Sequence, residues 1–194
     1  SYNVLSFLTY VMVDSIVFDE MLTENRLTPR KAYSDYHKWY ATEDLSRLRK
    51  KQKEAERLFR LTGITFNVGG GEKSQERLIP FDIIPRILSG REWARLSQGI
   101  RQRVGAINAF LHDIYHKQEI LKAGRIPIDL VSNNKAFLPQ MIGVQPPANI
   151  YTHVLGIDLV RTGPNECYVL EDNARTPSGV SYMLENRETM LQMF

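Results

Sequence analysis

Three oxygen-bearing side chains, those of Asp158, Glu171 and Asn173, are spaced so that they can share one face of a β-hairpin. The two segments that carry them are rich in Val, Ile, Leu and Tyr, and turn-forming residues occupy 163–166 between them. Side chains alternate between the two faces of a strand, so Glu171 and Asn173 point the same way and Asp172 points away. The sequence therefore predicts a hairpin with one face that carries oxygen ligands.

A turn centred on Pro164 and Asn165 would place Asp158 directly across from Glu171. Directly opposed Cβ atoms lie roughly 4.5–5.5 Å apart, and two carboxylates at that distance repel unless a cation lies between them. Magnesium is the natural candidate, because it prefers oxygen ligands and commonly uses one or two carboxylates together with substrate phosphates. The alternative that the spacing leaves open is a solvated hairpin face whose acids have no role.

Length and composition are those of a globular chain. The 194 residues suit one domain or slightly more, and an apolar fraction of 43% is enough for a hydrophobic core. The net charge of +3 and the pI of about 9.0 are too small an excess to indicate nucleic-acid binding. The single cysteine, Cys167, cannot form an internal disulfide, which favours a reducing, cytoplasmic location.

The apolar run 4–13 is too short to span a membrane. It has neither a basic leader nor a small-residue cleavage site, so a signal peptide is not expected. The run predicts a buried helix or strand, with an interfacial helix as the alternative. We therefore expect neither a membrane nor a nucleic acid among the partners.

The chain divides into a predicted N-terminal helical region, 1–62, and a predicted α/β region, 63–194. A strand over 64–68 is followed by the Gly-rich segment 69–74, which superficially resembles a phosphate-binding P-loop. A P-loop places Gly directly before Lys-Ser, whereas Glu72 stands there, so a flexible loop or a plain turn is expected.

A first helix is predicted from a cap at Thr42 to a stop at Gly63. Its predicted apolar stripe consists of Leu45, Leu48, Ala55 and Leu58. The basic residues between 47 and 60 are compatible with a nucleic-acid-binding arm, but the interleaved acids and the apolar stripe favour a solvated face.

A second helix is predicted to begin with the capping-box pair Ser89 and Glu92, in a region that ends near Gly124. Its predicted buried stripe consists of Trp93, Leu96, Ile100, Val104, Ile107, Leu111 and Ile114. Four polar residues off that stripe face either a ligand or solvent: Arg101, Arg103, Asn108 and Asp113. His112 and His116 are spaced like metal ligands, but no third ligand is evident nearby.

The residues around the hairpin complete the prediction. A strand is expected over 151–160 and a helix over 180–191, with Met183, Leu184 and Leu191 facing inward. The free N–H groups at the start of that helix would lie beside the acidic hairpin face and would form an anion site.

Taken together, these residues resemble the metal-binding hairpin of ATP-grasp ligases, and more specifically the circularly permuted ATP-grasp proteins related to glutathionylspermidine synthase. The resemblance covers about 18–187, and its motifs appear in the order of the family. They lie at 63–66, 80–86, 92–93, 102–111 and 169–187, with Asp158 before the last. The expected fold is therefore α/β (α+β), a partial ATP-grasp fold with a mixed or antiparallel sheet and packed helices.

The resemblance implies an ATP-dependent carboxylate–amine ligase that acts through an acyl phosphate, with small-molecule or peptide carboxylates and amines as substrates. Asp158, Glu171 and Asn173 would hold Mg²⁺ on the phosphates of ATP. Arg175 would be the catalytic residue that stabilises phosphate charge in the transition state. Thr176 and Ser178 would bind the acceptor carboxylate or the acyl phosphate.

Members of the family are longer than this chain, and their strands and lysines that hold adenine and phosphates come later in the permuted order. We therefore expect those elements to lie outside these 194 residues, and the isolated chain to lack turnover and to associate through exposed core surface. The alternative function is a non-catalytic nucleotide-binding or scaffold piece of an ATP-grasp protein.

Overall fold

The computed structural model describes residues 18–25, 27–63, 65–68 and 75–194, with 65–68 and 75–78 described through their backbone. The described part is an α+β structure of six α-helices and two β-hairpins, which confirms the predicted fold class. The helices are α1 (Ser34–Thr42), α2 (Leu45–Thr62), α3 (Gly90–Tyr115), α4 (Glu119–Lys122), α5 (Ile128–Ser132) and α6 (Gly179–Met193). The strands are β1 (Thr65–Val68), β2 (Gln75–Leu78), β3 (Gly156–Gly163) and β4 (Glu166–Asn173).

Contacts group these elements into two compact units. The first contains the described residues up to 89 together with 159–170 and 178–194, and the second contains 90–158 and 171–177. The predicted division between 62 and 63 stays a prediction. The predicted interpretations of 4–13 and of the Gly-rich segment 69–74 fall outside the described residues.

Helix α2 begins and ends at residues that satisfy its free backbone groups. Its N-cap is Asp44, whose carboxylate accepts a 2.7 Å hydrogen bond from the backbone N–H of Ser46. The predicted cap, Thr42, is wrong, because its hydroxyl instead donates to the carbonyl of Trp39 at the end of α1. The predicted stop is confirmed, since Gly63 takes the left-handed conformation with φ of 69°.

The core of the first unit lies under one face of α2. It consists of Leu48, Ala55, Phe59, Phe81 and Ile83. The rings of Phe59 and Phe81 lie 4.7 Å apart, so the segment after β2 closes over the helix. The predicted stripe is wrong at Leu45, which is 63% exposed, and it missed Phe59, which is 1% exposed.

Helix α6 corrects a second predicted face. Met183, Leu184 and Leu191 were expected to point inward, but all three are exposed. The residues that pack on the core of the first unit are Tyr182, Met190 and Met193. Apolar residues occur on both sides of this helix, so the sequence pattern alone did not select the buried side.

Several elements were not predicted. The segment 28–40 has no clear period in the sequence, yet it contains the 3₁₀ turn Lys31–Tyr33 and part of α1. Strand β2 pairs antiparallel with β1, with Thr65 opposite Leu78 and Val68 opposite Gln75. The predicted strand at this position is therefore one half of a hairpin.

The second unit is built on the long helix α3. Ile114 and Tyr115, at its C-terminal end, form a core with Leu121 of α4. Helix α3 begins at Gly90, directly after the predicted cap. Its predicted stripe is wrong at Trp93, which is 58% exposed.

The basic face of α2 is partly neutralised by nearby acids. Arg57 donates to Glu54 of the same helix at 2.6 Å, and Arg47 lies 3.4 Å from Glu43, which precedes the helix. The i,i+3 pair of Glu54 and Arg57 is that of a solvated helix face. Within the described residues, no helix has the length and apolar character needed to cross a membrane.

Replacing Phe59 with Ala should remove the central ring of the first core. We expect the free energy of unfolding to fall by about 3–5 kcal/mol, because a buried aromatic side chain leaves a cavity. Urea unfolding followed by circular dichroism measures the change. Leu61→Ala is the matched control on the same helix, since Leu61 is 69% exposed and its loss should cost no more than about 0.5 kcal/mol. Equal effects of the two substitutions would contradict this core.

Asp113 should make the second unit sensitive to acid. Hydrogen bonds from the backbone N–H groups of Ile120 and Glu119, each 2.9 Å long, hold the pKa of the Asp113 carboxyl below its ordinary value. The resulting stabilisation is fully present above the unfolded pKa, about 3.9, and is lost as the pH falls through the lower folded pKa. Asp113→Asn should therefore lower the thermal midpoint at pH 6, with the gap from wild type closing below about pH 4. A gap that is constant with pH would contradict the assignment.

Candidate functional site

The strands β3 and β4 are joined by only two residues, Pro164 and Asn165, as the predicted turn required. Strands joined so tightly run antiparallel. At the open end of the hairpin, a Cβ atom on Gly156 would lie 3.4 Å from the Cβ of Asn173, so these two residues are opposite each other. Counting inward along each strand then places Asp158 opposite Glu171.

The predicted ligand face has the expected composition. Asp158 and Glu171 are both exposed, and Asn173 is half-buried. The amide nitrogen of Asn173 donates a 3.0 Å hydrogen bond to Oε1 of Glu171, so these two side chains point the same way. The face therefore carries two opposed carboxylates and one amide, all open to solvent or ligand on one side.

Asp172 points to the other face, as strand alternation predicts. Its carboxylate accepts three hydrogen bonds from Arg103 of α3: Nε lies 2.8 Å from Oδ1 and 3.0 Å from Oδ2, and Nη2 lies 2.6 Å from Oδ2. This two-pronged geometry matches a guanidinium to a carboxylate. The Arg103 hydrogen bonds hold the pKa of the Asp172 carboxyl below its usual value. Asp172 is therefore committed to an ion pair and not to the ligand face.

The ligand face fits a magnesium ion in its donor chemistry. Mg²⁺ takes oxygen ligands and is usually held by one or two carboxylates together with substrate phosphates and waters. In the part of the chain that the structure describes, no group of three or more His, Cys, Asp or Glu side chains could hold a metal ion. The third protein oxygen would thus have to be the amide oxygen of Asn173, which a half-turn about χ2 would exchange with the amide nitrogen.

The remaining predicted site residues follow the hairpin along the chain. Arg175 and Thr176 are exposed and belong to the second unit. Ser178 belongs to the first unit, where it is the N-cap of α6, and its hydroxyl makes no capping hydrogen bond. Free N–H groups at the start of such a helix are able to bind an anion.

The polar residues of α3 bind protein groups. Besides Arg103, Asn108 accepts hydrogen bonds from the backbone N–H groups of Tyr151 and Thr152, at 2.8 and 3.1 Å. Asp113 caps α4. The sequence left open whether these residues face a ligand or solvent, and these three instead fix neighbouring segments of the second unit.

The histidine pair of α3 is also tied to the protein. The rings of His112 and His116 stack 4.3 Å apart. Nδ1 of His116 lies 2.9 Å from the carbonyl oxygen of His112, and Nδ1 of His112 lies 3.2 Å from the hydroxyl of Tyr151. In the described part of the second unit, no third metal-ligating side chain joins them.

Two contacts of α3, one with β4 and one with the segment before β3, were not predicted. Arg103 and Asp172 are 69 residues apart in sequence, and Asn108 is 43 residues from Tyr151. The available signal was weak: Arg103 and Asn108 are polar residues off the apolar stripe of a helix. Such residues are usually solvated, so only the three-dimensional structure identifies their partners.

Comparison with known proteins identifies the family. Residues 85–194, more than half of the chain, match the family described as circularly permuted ATP-grasp type 2. The chain belongs to this family. The matched segment includes α3, the β3–β4 hairpin and α6.

Several curated proteins are similar to this chain. An uncharacterized protein of Synechocystis is 49% identical over 71% of this chain and 28% of its own length. An uncharacterized protein of Mycobacterium tuberculosis strain H37Rv is 43% identical over 94% of this chain and 32% of its own length. A Frankia casuarinae protein named "Putative glutamate–cysteine ligase 2-2" is 42% identical over 64% of this chain and 14% of its own length. The chain thus spans less than a third of these relatives.

Replacing Gly156 with Ala should disturb the open end of the hairpin. A Cβ atom there would lie 3.2 Å from the Cβ of Pro177 and 3.4 Å from that of Asn173. We expect a loss of about 1–3 kcal/mol in unfolding free energy, because added atoms overpack the site. NMR should also show a shift of the Asn173 side-chain amide signal.

Gly105→Ala is the control for this substitution. Nothing lies within 4 Å of a Cβ at Gly105, which is inside α3. Ala is about 0.5–1 kcal/mol better than Gly in a helix interior, so this variant should be at least as stable as wild type. Equal stability of the two variants would show that Gly156 is not closely packed.

Proposed function

We propose that this chain supplies the metal-binding and phosphate-binding hairpin of an ATP- and Mg²⁺-dependent carboxylate–amine ligase of the glutathionylspermidine-synthase-like, peptide-forming kind. The observation that carries the proposal is the pair of opposed carboxylates, Asp158 and Glu171, with Asn173 on the same face. Membership of the ATP-grasp family supports it. Because this chain spans less than a third of the relatives described above, the activity is proposed for the whole protein.

The proposed metal ligands are Asp158, Glu171 and Asn173. Two carboxylates that face each other across a hairpin repel, and a divalent cation between them removes that repulsion. When bound, Mg²⁺ would supply charge neutralisation at the phosphates of ATP. The exposure of both carboxylates leaves room for phosphate oxygens and water to complete the octahedral shell.

The proposed reaction has two steps. A substrate carboxylate oxygen attacks the γ-phosphorus of ATP, the bond to the leaving ADP breaks, and an acyl phosphate forms. The amine nitrogen then attacks the acyl carbon, the C–O bond to phosphate breaks, and an amide, inorganic phosphate and a proton are released. Arg175 is proposed to stabilise charge on the transferring phosphoryl group, since a guanidinium matches phosphate oxygens in geometry and charge.

Thr176 and Ser178 are proposed to bind the acceptor carboxylate or the acyl phosphate. Both residues carry hydroxyl groups that can donate hydrogen bonds. The Ser178 hydroxyl makes no capping hydrogen bond, and Ser178 stands directly before the free N–H groups of α6. The partners are small-molecule or peptide carboxylates and amines, in a cytoplasmic setting. The substrates in the name of the Frankia protein are not assigned to this chain, because the match covers 14% of that protein.

Calorimetric titration of the chain with Mn²⁺, and with MgATP, tests the proposal. Asp158→Asn and Glu171→Gln should each weaken metal binding by at least about tenfold, since each removes one charged oxygen ligand. Both substitutions preserve side-chain size, and both residues are exposed, so the thermal midpoint should change little.

Glu166→Gln is the matched control. Glu166 is an exposed glutamate of the same strand, β4, at the turn end of the hairpin. Its substitution should leave Mn²⁺ binding unchanged. Metal binding that survives Asp158→Asn and Glu171→Gln would refute the ligand assignment. The non-catalytic alternative predicts a different pair of results. MgATP would bind this chain in a way that depends on Glu171, but a full-length relative supplied with amines and carboxylates would release no ADP.

A further inference from the structure

The ion pair between Arg103 and Asp172 lies directly behind the candidate metal face. Asp172 stands between Glu171 and Asn173 in β4, so the three side chains alternate about one short piece of backbone. Their directions are linked, because any rotation of this strand segment moves all three. The group that holds Asp172 therefore also determines where Glu171 and Asn173 point.

The contact between Arg103 and Asp172 restricts the relative motion of the two side chains. Three hydrogen bonds of 2.6–3.0 Å connect two nitrogens of Arg103 to both oxygens of Asp172. The Asp172 side chain is 22% exposed and that of Arg103 is 44% exposed. A planar guanidinium that binds a carboxylate through two nitrogens restricts rotation as well as distance.

Helix α3 also holds the chain that leads into β3. Five residues after Arg103, the side-chain oxygen of Asn108 accepts the N–H groups of Tyr151 and Thr152, and its amide nitrogen donates to Oγ1 of Thr152 at 3.2 Å. One helix thus contacts β4 directly and the segment before β3, within the second unit.

We propose that Arg103 is a positioning residue for the metal site: by holding Asp172 on the rear face of β4, it keeps Glu171 and Asn173 aligned with Asp158. This inference rests on the proposed function and adds a residue that does not touch the ligands. Partners that orient metal ligands in this indirect way typically change metal affinity by about 10–100-fold when removed.

The sign of the effect separates positioning from simple electrostatics. Arg103 is a positive charge near a cation site, so its removal would strengthen cation binding if charge alone mattered. A positioning role predicts the opposite, because the released Asp172 no longer holds the strand. Weaker binding after the loss of a positive charge is thus the specific signature of the proposal.

The test uses the whole chain and Mn²⁺ as probe. Arg103→Ala should weaken Mn²⁺ binding by about tenfold, and Arg103→Lys should restore only part of the affinity, since Lys keeps the charge and loses the two-nitrogen contact. The double variant Arg103→Ala/Asp172→Ala should bind no more weakly than the weaker of its two single variants, because both act through one contact. Arg101→Ala is the control on the same helix, and it should bind at least as tightly as wild type.

Hydrogen exchange of the backbone amides of 171–173 gives a readout without metal. We expect faster exchange in Arg103→Ala, with a thermal midpoint close to wild type because solvent-exposed ion pairs contribute little stability. Unchanged exchange, or Mn²⁺ affinity equal to or above wild type while Glu171→Gln still weakens binding, would overturn the positioning role and leave the proposed function intact. Mn²⁺ affinity that is unchanged by Glu171→Gln would instead overturn the proposed function.

Discussion

A slip of one residue in the pairing of β3 with β4 would exchange the two faces of the hairpin and would dismantle the candidate site. Two features oppose such a slip. The connection of only two residues, Pro164 and Asn165, leaves little freedom at the turn. The guanidinium of Arg103 reaches the hairpin from α3 and binds both carboxylate oxygens of Asp172 on the rear face, a contact that a slip would break. The composition of the ligand face thus depends on the pairing register of β3 with β4. The two-residue turn opposes a slip at one end of the hairpin, and the contact of Arg103 with Asp172 opposes it at the other.

The resulting arrangement is locally unfavourable. Like charges directly opposite each other on a strand pair destabilise it, and Asp158 and Glu171 are such a pair. Among the described contacts, the hydrogen bond from Asn173 is what relieves Glu171. A well-formed hairpin that keeps an unfavourable pair is expected where the pair serves a ligand. The opposed charges of Asp158 and Glu171 are therefore consistent with the proposed cation site.

The sequence predictions were correct where neighbouring residues decide the structure and wrong in places where distant residues decide it. The hairpin, its turn and the directions of Glu171, Asp172 and Asn173 depend on residues close in the chain, and the structure agrees with all of them. Faces of helices depend on distant partners, and the predictions for Trp93 and for α6 were wrong. Helix α1 was missed although Tyr36, Trp39 and Tyr40 have the spacing of one helical face and their rings contact one another. The roles assigned to Arg175, Thr176 and Ser178 stay predictions.

The family match covers the part of the chain that contains the candidate site. It begins at residue 85 and includes the whole of the second unit, 90–158 and 171–177. That unit contains the candidate ligand face, Arg103 and Asn108, so the proposed positioning residue and the proposed ligands lie in the same matched segment. The first core around Phe59 lies mostly before residue 85, yet the mycobacterial relative matches 94% of the chain and so includes most of it. The candidate site thus lies within the family match, whereas the buried residues of the α2 core lie before it and largely within the longer match to the mycobacterial relative.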